Sequence, residues 1–336
     1  MDPGLALAVV LALAFAVTNG LHDAANAIAA LVATRAARPK QAIVLATVFN
    51  LLGPLFVGAA VADTIGGIVT VSPAQATAVI GAGLASAVTW NMITWRLGLP
   101  SSSGHALVGG LVGAALAEGG ADAVLWGGFD GLHPVGVVGT LVALAISPLL
   151  GGVAAVIVIR ALRRLARRAT MRIRGPVNGA QWVTSAILAF SHGANDAQKA
   201  VGVVAALLLA GGEIDSLDAP SWAIVACSLA LTLGTALGGW RIIHTVGRRI
   251  YRVKPIDGLA TESSSAGVVL GASLLGAPTS TSQVVASAVV GVGGGRRRWH
   301  HVHWAIVRQM GAAWLITMPI TAILAGGVFE LLQLLS

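Results

Sequence analysis

Apolar residues run along this chain in long continuous stretches, broken by brief polar insertions. Strict alternation would mark half-buried strands and a narrow periodic stripe would mark surface helices; neither organises the chain. Apolar segments occupy residues 5–34, 42–61, 75–117, 135–159, 180–210, 221–240, 258–294 and 303–330. About 20 apolar residues suffice for a membrane-crossing helix. Segments 75–117 and 258–294 are too long for one crossing, and each bends at a polar tip. The first tip reads Leu99-Pro100-Ser101-Ser102-Ser103-Gly104-His105, the second Ala277-Pro278-Thr279-Ser280-Thr281-Ser282-Gln283. As helices, the arms that follow (104–117 and 283–293) would rise about 21 and about 16 Å, against a hydrocarbon core of about 30 Å. The pattern predicts two re-entrant hairpins, entering from opposite faces, with their tips near the midplane.

Composition narrows the class. Of 336 residues, 56% are hydrophobic and 10% charged. Soluble domains carry roughly 25% charged residues, so a water-solvated domain is excluded, and so is a disordered chain. An outer-membrane barrel would alternate apolar and polar positions. The expected fold is an all-α polytopic membrane protein, with the lipid bilayer as a partner.

The net charge of +8 changes the picture through its placement. Bases cluster at Arg35, Arg38 and Lys40; at Arg160, Arg163, Arg164, Arg167, Arg168, Arg172 and Arg174; at Arg241, Arg248, Arg249, Arg252 and Lys254; and at Arg296–Arg298. These clusters border apolar spans, so no nucleic-acid partner is expected. The positive-inside rule assigns them to the cytoplasm. Asp63, Glu118, Asp122, Asp130, Glu213, Asp215 and Asp218 fall in the other loops. Tracing the crossings puts the N-terminus outside a plasma (inner) membrane, and the second half repeats the order of the first with every direction reversed. That is an inverted-topology repeat: residues 1–159, a basic cytoplasmic linker 160–177, and residues 178–336. Met1–Gly20 lacks the basic start of a secretory signal and reads as the first membrane helix. Trp90, Trp126, Trp182, Trp222, Trp240 and Trp299 fit an interfacial belt, and Cys227 a small buried hydrophobe.

Two segments carry related polar motifs: Thr18-Asn19-Gly20-Leu21-His22-Asp23-Ala24-Ala25-Asn26-Ala27, and Ser191-His192-Gly193-Ala194-Asn195-Asp196-Ala197-Gln198-Lys199-Ala200. Gly20 aligns with Gly193, His22 with Asn195, Asp23 with Asp196 and Asn26 with Lys199. An Asp at a span centre costs roughly 2.5–3.5 kcal/mol on the insertion scale, so a matched pair calls for a chemical reason. The motifs predict two broken helices and a cation site. Na⁺ would take oxygens from Asp23, Asn26, Asn195 and Asp196 and from unwound backbone; a proton would need only a buried carboxylate. Lys199 lies one turn from Asp196 and can pair with it, standing where a mobile cation would sit in the symmetric counterpart. Asn19 also suits an interhelical hydrogen bond.

The tips suit an anion. Hydroxyls of Ser101, Ser102, Ser103, Thr279, Ser280, Thr281 and Ser282, with free N–H groups at the starts of the following helices, form two cradles for a tetrahedral oxyanion. His105 and Gln283 hold matching positions in the two arms and are expected to orient the hydroxyls or contact the bound anion. Arg96 is either an added charge or a snorkelling residue. Glu262 is either a coupling carboxylate or an interface residue. His133, His244, His300, His301 and His303 read as loop or boundary residues. No nucleophile–base–orienter order appears, so an enzyme is not expected.

These motifs together resemble the PiT family of inorganic phosphate transporters, in its compact bacterial branch. His192-Gly193-Ala194-Asn195-Asp196 matches the family signature, and Gly20–Ala27 matches with His22 for the usual Asn. Further departures are Lys199 for an amide, Gly104 for a hydroxyl residue, and Gln283 for the His of the second tip. The resemblance implies import of orthophosphate with a cation (H⁺, Na⁺, or as a metal–phosphate complex) by alternating access, with Na⁺ the one candidate ion and no other cofactor. It assigns Asp23, Asn26, Asn195 and Asp196 to the cation signature and the tip hydroxyls to phosphate. A sulfate permease of the same fold and an anion channel are the alternatives. Assembly into a homo-oligomer is left open.

Overall fold

The computed structural model describes residues 2–99, 101–237 and 250–335. Pro100, Trp240, Arg241, His244, Arg248 and Arg249 lie outside the described residues. Within them the chain is almost wholly helical. Helix α1 spans Pro3–Ala33, α2 Pro39–Phe56, and the short α3 Ala60–Gly66. The first hairpin is α4, Pro73–Leu97, and α5, Ser103–Gly119. A small antiparallel ribbon, β1 at Gly128–Asp130 and β2 at His133–Val135, precedes α6, Gly136–Leu165. Then come α7, Arg174–Ala210, and α8, Ser221–Leu237. The second hairpin is α9, Pro255–Leu274, and α10, Thr281–Gly295; α11, Trp304–Leu335, closes the fold.

Two expectations, on the motifs and on the first arm, need correction. The polar motifs do not break their helices: α1 and α7 run continuously through them. The helix keeps its own backbone hydrogen bonds, and the motif side chains find partners on neighbouring helices instead. The basic linker 160–177 is largely helical, because α6 extends to Leu165 and α7 starts at Arg174. The arm after the first tip is longer than 104–117: α5 continues through a 3₁₀ turn, giving 21 residues from Ser103 to Ala123. That is enough to cross a membrane by length. The second arm, α10, has 15 residues and would rise about 22 Å, short of a full crossing.

Six helices among the described residues are long and apolar enough to cross a membrane: α1, α2, α4, α5 with its 3₁₀ extension, α6 and α11. This is a membrane protein. Leu7, Val44, Phe56, Leu149, Val153, Leu237, Leu315 and Ile323 are exposed, and large apolar side chains on a helix surface are at ease in lipid. The α7 helix differs, being buried along much of its length and carrying the polar motif.

Packing pairs the halves crosswise. Helix α1 lies on α8 and α7 on α2; α5 lies on α11 and α10 on α6. Small residues make the crossings, as expected where no hydrophobic effect drives helices together within lipid. A Cβ on Gly20 would strike the Leu231 carbonyl, and one on Gly234 the Val17 carbonyl. The α2–α7 crossing reproduces this: Gly53 abuts the Phe190 carbonyl and Gly193 the Asn50 carbonyl. Asn50 Nδ2 donates to Thr235 Oγ1 at 2.9 Å, tying α2 to α8.

Bases from separate parts of the chain come together. Arg35, Arg174, Arg252, Lys254 and Arg296, drawn from all four basic clusters, line one cavity of about 1200 Å³. Asp257 pairs there with Arg296 at 2.9 Å. Asp63 and Asp218, from two of the acidic loops, sit close enough to act on each other's charge.

Candidate functional site

The two hairpins meet at their tips. Ser282 Oγ donates to the Ser101 carbonyl at 3.1 Å, and Gln283 Nε2 lies 3.4 Å from His105 Nδ1. Helices α5 and α10 begin at this junction, with Ser102 and Ser280 as N-caps. Each preceding arm ends in a left-handed glycine, Gly98 at φ 65° and Gly276 at φ 68°. Only glycine takes that conformation without strain, and it lets the chain turn sharply into the tip. Two helix N-termini, each with unpaired N–H groups and a positive dipole end, therefore converge. Ser101, Ser102, Ser103, Thr279, Ser280, Thr281 and Ser282 are all buried there.

The tips press on the motifs of α1 and α7, and the contacts repeat. Ser103 Oγ contacts the Asp23 carboxylate and lies 2.8 Å from Asn19 Oδ1. Its counterpart Thr281 donates to Asp196 at 3.2 Å and lies 3.2 Å from His192 Nδ1. His22 Nε2 faces the Leu99 carbonyl at 3.1 Å and Thr94 Oγ1 at 3.3 Å. Asn195 likewise donates to the Ala277 carbonyl at 3.1 Å and to Ser273 Oγ at 3.0 Å, while accepting from the Thr279 N–H at 2.9 Å. Unlike residues thus build the same scaffold twice.

The symmetry fails at one pair. Lys199 Nζ donates to the Asp196 carboxylate and to the Thr279 carbonyl, and His192 also contacts Asp196. Its counterpart Asn26 is 1% exposed, yet among the described residues neither Nδ2 nor Oδ1 has a hydrogen-bond partner, and Asn19 Nδ2 has none either. Unsatisfied buried polar atoms cost about 1–3 kcal/mol each; of these three, Asn26 Oδ1 is the acceptor oxygen that a small cation could take. Asp23 and Asn26 supply oxygens one turn apart, as a hard cation requires. His22 adds a second feature. Its Nδ1 faces Asp23 Oδ1 at 3.2 Å, while its Nε2 faces the Leu99 carbonyl and the Thr94 and Ser101 hydroxyls.

Of the motif residues, Asn19, His22, Asp23, Asn195, Asp196 and Lys199 meet the tips, while Gln198 bonds the loop after α2 instead. Arg96 lies apart, exposed on the last turn of α4. Glu262 is buried but accepts from Thr184 Oγ1 at 2.8 Å, about 12 Å along α7 from His192. His133 lies in the β1–β2 ribbon, 3.0 Å from the Leu275 carbonyl, and the His300 ring lies 4.2 Å from that of His301, tilted by 46°. The Trp90 indole donates to Thr317 Oγ1 on α11 at 3.1 Å. Sequence reading missed Thr94 and Ser273 as partners of the site. A lone hydroxyl in an apolar helix commonly bonds its own backbone, so nothing marks it in sequence. His192 stood in the motif, and its spacing of four from Asp196 was the available signal.

A helical membrane protein with a buried, two-sided polar centre is what this fold and site define. A sequence profile described as the phosphate transporter family matches residues 19–177 and again residues 167–325, and the chain belongs to that family. A probable low-affinity inorganic phosphate transporter of Rhizobium meliloti (strain 1021) is 39% identical over 94% of this chain and 93% of its own length. One from Bacillus subtilis (strain 168) is 36% identical over 98% of this chain and 97% of its own. Among solved structures, one titled the sodium-dependent phosphate transporter superposes with a TM-score of 0.88 at 25% identity, covering all of both chains. The family is one of transporters, not enzymes.

Proposed function

We propose that this protein imports inorganic phosphate across the plasma (inner) membrane, coupled to a cation, by alternating access. The observation that carries this reading is the head-to-head meeting of two hydroxyl-capped helix N-termini, Ser101–Ser103 against Thr279–Ser282. Such ends attract anions through free N–H groups and dipoles, and hydroxyls add neutral donors. The names of the relatives support phosphate over sulfate.

The coupling cation belongs to the first half. Asp23 with the unpartnered Asn26 would hold Na⁺, and the sodium-dependent relative supports that ion. A proton is the second reading, favoured by His22 standing between a carboxylate and a carbonyl. The halves 1–159 and 178–336 act as the inverted repeats. Their hairpins, each seated on the other half's last helix, rock against the α1–α8 and α2–α7 core. Purified protein in liposomes should accumulate radiolabelled phosphate when a Na⁺ or a pH gradient is imposed, each alone. Uptake that follows neither gradient, or that sulfate competes away at equal concentration, would reject this function.

A further inference from the structure

We infer that Lys199 is a resident cation that also contacts the transported anion, so that the second half needs no mobile ion. This rests on the phosphate reading of the tips and assigns that site a further ligand. An ammonium has three hydrogens. Two are accounted for by the Asp196 carboxylate and the Thr279 carbonyl, the latter on the second tip. The remaining direction opens towards the first tip. A methyl placed on Gly104 would lie 3.5 Å from Lys199 Nζ, 3.6 Å from Leu144 Cδ2 and 3.8 Å from Ser102 Oγ. Ammonium and tip hydroxyl therefore flank one small space that exists because residue 104 has no side chain. An anion oxygen there would meet a full positive charge, a hydroxyl and the first N–H groups of α5.

Two departures from the symmetric pattern, Lys199 for Asn26 and Gly104 for Ser282, thus explain each other. Lysine brings charge to the junction, and glycine leaves the opening through which that charge is felt. Lys199 is 1% exposed, and a buried charge is tolerated only when paired. Asp196 supplies that pairing when the tips are empty. A bound phosphate would share the ammonium without any ion having to enter the second half. One mobile cation at Asp23 and Asn26 then completes the site.

The test compares wild type with Lys199→Asn, which copies the first half, and with Gly104→Ala. Phosphate uptake into liposomes is measured against graded Na⁺ and against graded pH, and charge moved per phosphate is read from the reversal potential. Lys199→Asn should move one more cation per phosphate and show a Hill slope steeper by about one for the driving cation. Its phosphate KM should rise at least tenfold at low cation concentration. Gly104→Ala should raise phosphate KM severalfold with unchanged cation slope. If Lys199→Asn does not assemble, the glycine variant decides alone. An unaltered slope and charge ratio in Lys199→Asn, or an unaltered KM in Gly104→Ala, overturns the inference. Absence of phosphate uptake by the wild type would instead reject the transport function itself.

Discussion

Asp23 and Asp196 are the same residue in two electrostatic settings. Asp196 is compensated by Lys199 and contacted by His192; Asp23 has His22, Ser103 and an unpartnered Asn26 beside it. Replacing Asp23 with Asn should therefore abolish the response of phosphate uptake to the driving cation while the protein still purifies as a folded species. Ser103→Ala removes a hydrogen bond to a charged group, worth about 1.5–3 kcal/mol. It should reduce cation-stimulated uptake about tenfold or more, with Ser103→Thr restoring most of it. These residues were legible in sequence because a polar group inside an apolar run is costly and so conspicuous. Their partners were not: Thr94 and Ser273 enter the site only because hairpin arms from distant parts of the chain pack against α1 and α7.

At the scale of elements, the crossings decide where the motifs sit. Gly20 and Gly193 each belong to a signature motif, yet each faces a backbone carbonyl on α8 or α2 and not the tips. Their role is close approach of helices, and added bulk must separate them. Overpacking costs about 1–3 kcal/mol or more, so Gly193→Val should lower the thermal midpoint and the yield of monodisperse protein in detergent. Gly267, whose Cβ would meet nothing within 4 Å, should tolerate the same change. Apolar runs announced the helices well, since length and hydrophobicity alone set a span. Helix interruption was misjudged because polar side chains were taken to unwind the backbone. In the structure they stay on an intact helix and bond sideways to the tips, which keeps every main-chain pair and satisfies most of the side chains.

Over the whole molecule, the basic clusters converge on one cavity. Cys227 is the only cysteine and is buried, so single cysteines report topology cleanly. A cysteine at Ala169 should react with an impermeant maleimide only from the cytoplasmic side, and one at Asp215 only from outside. Burial first and the Asp218 charge second raise the pKa of Asp63 above the ordinary carboxylate value. A raised carboxylate favours the folded state while protonated, and that advantage is lost as pH rises through its folded pKa. Asp63→Asn should accordingly raise the thermal midpoint at neutral pH, with the gain shrinking as pH falls through the carboxylate range. By itself the sequence determined the membrane class, the two matched motifs, the two hydroxyl tips and the grouping of bases, because hydrophobic length and misplaced polarity are local properties. Only the tertiary structure decided that the tips touch, that Lys199 bonds the second tip, and that the Asn26 amide has no hydrogen-bond partner among the described residues. Those facts depend on helices far apart in the chain coming within hydrogen-bond distance, which no local pattern encodes.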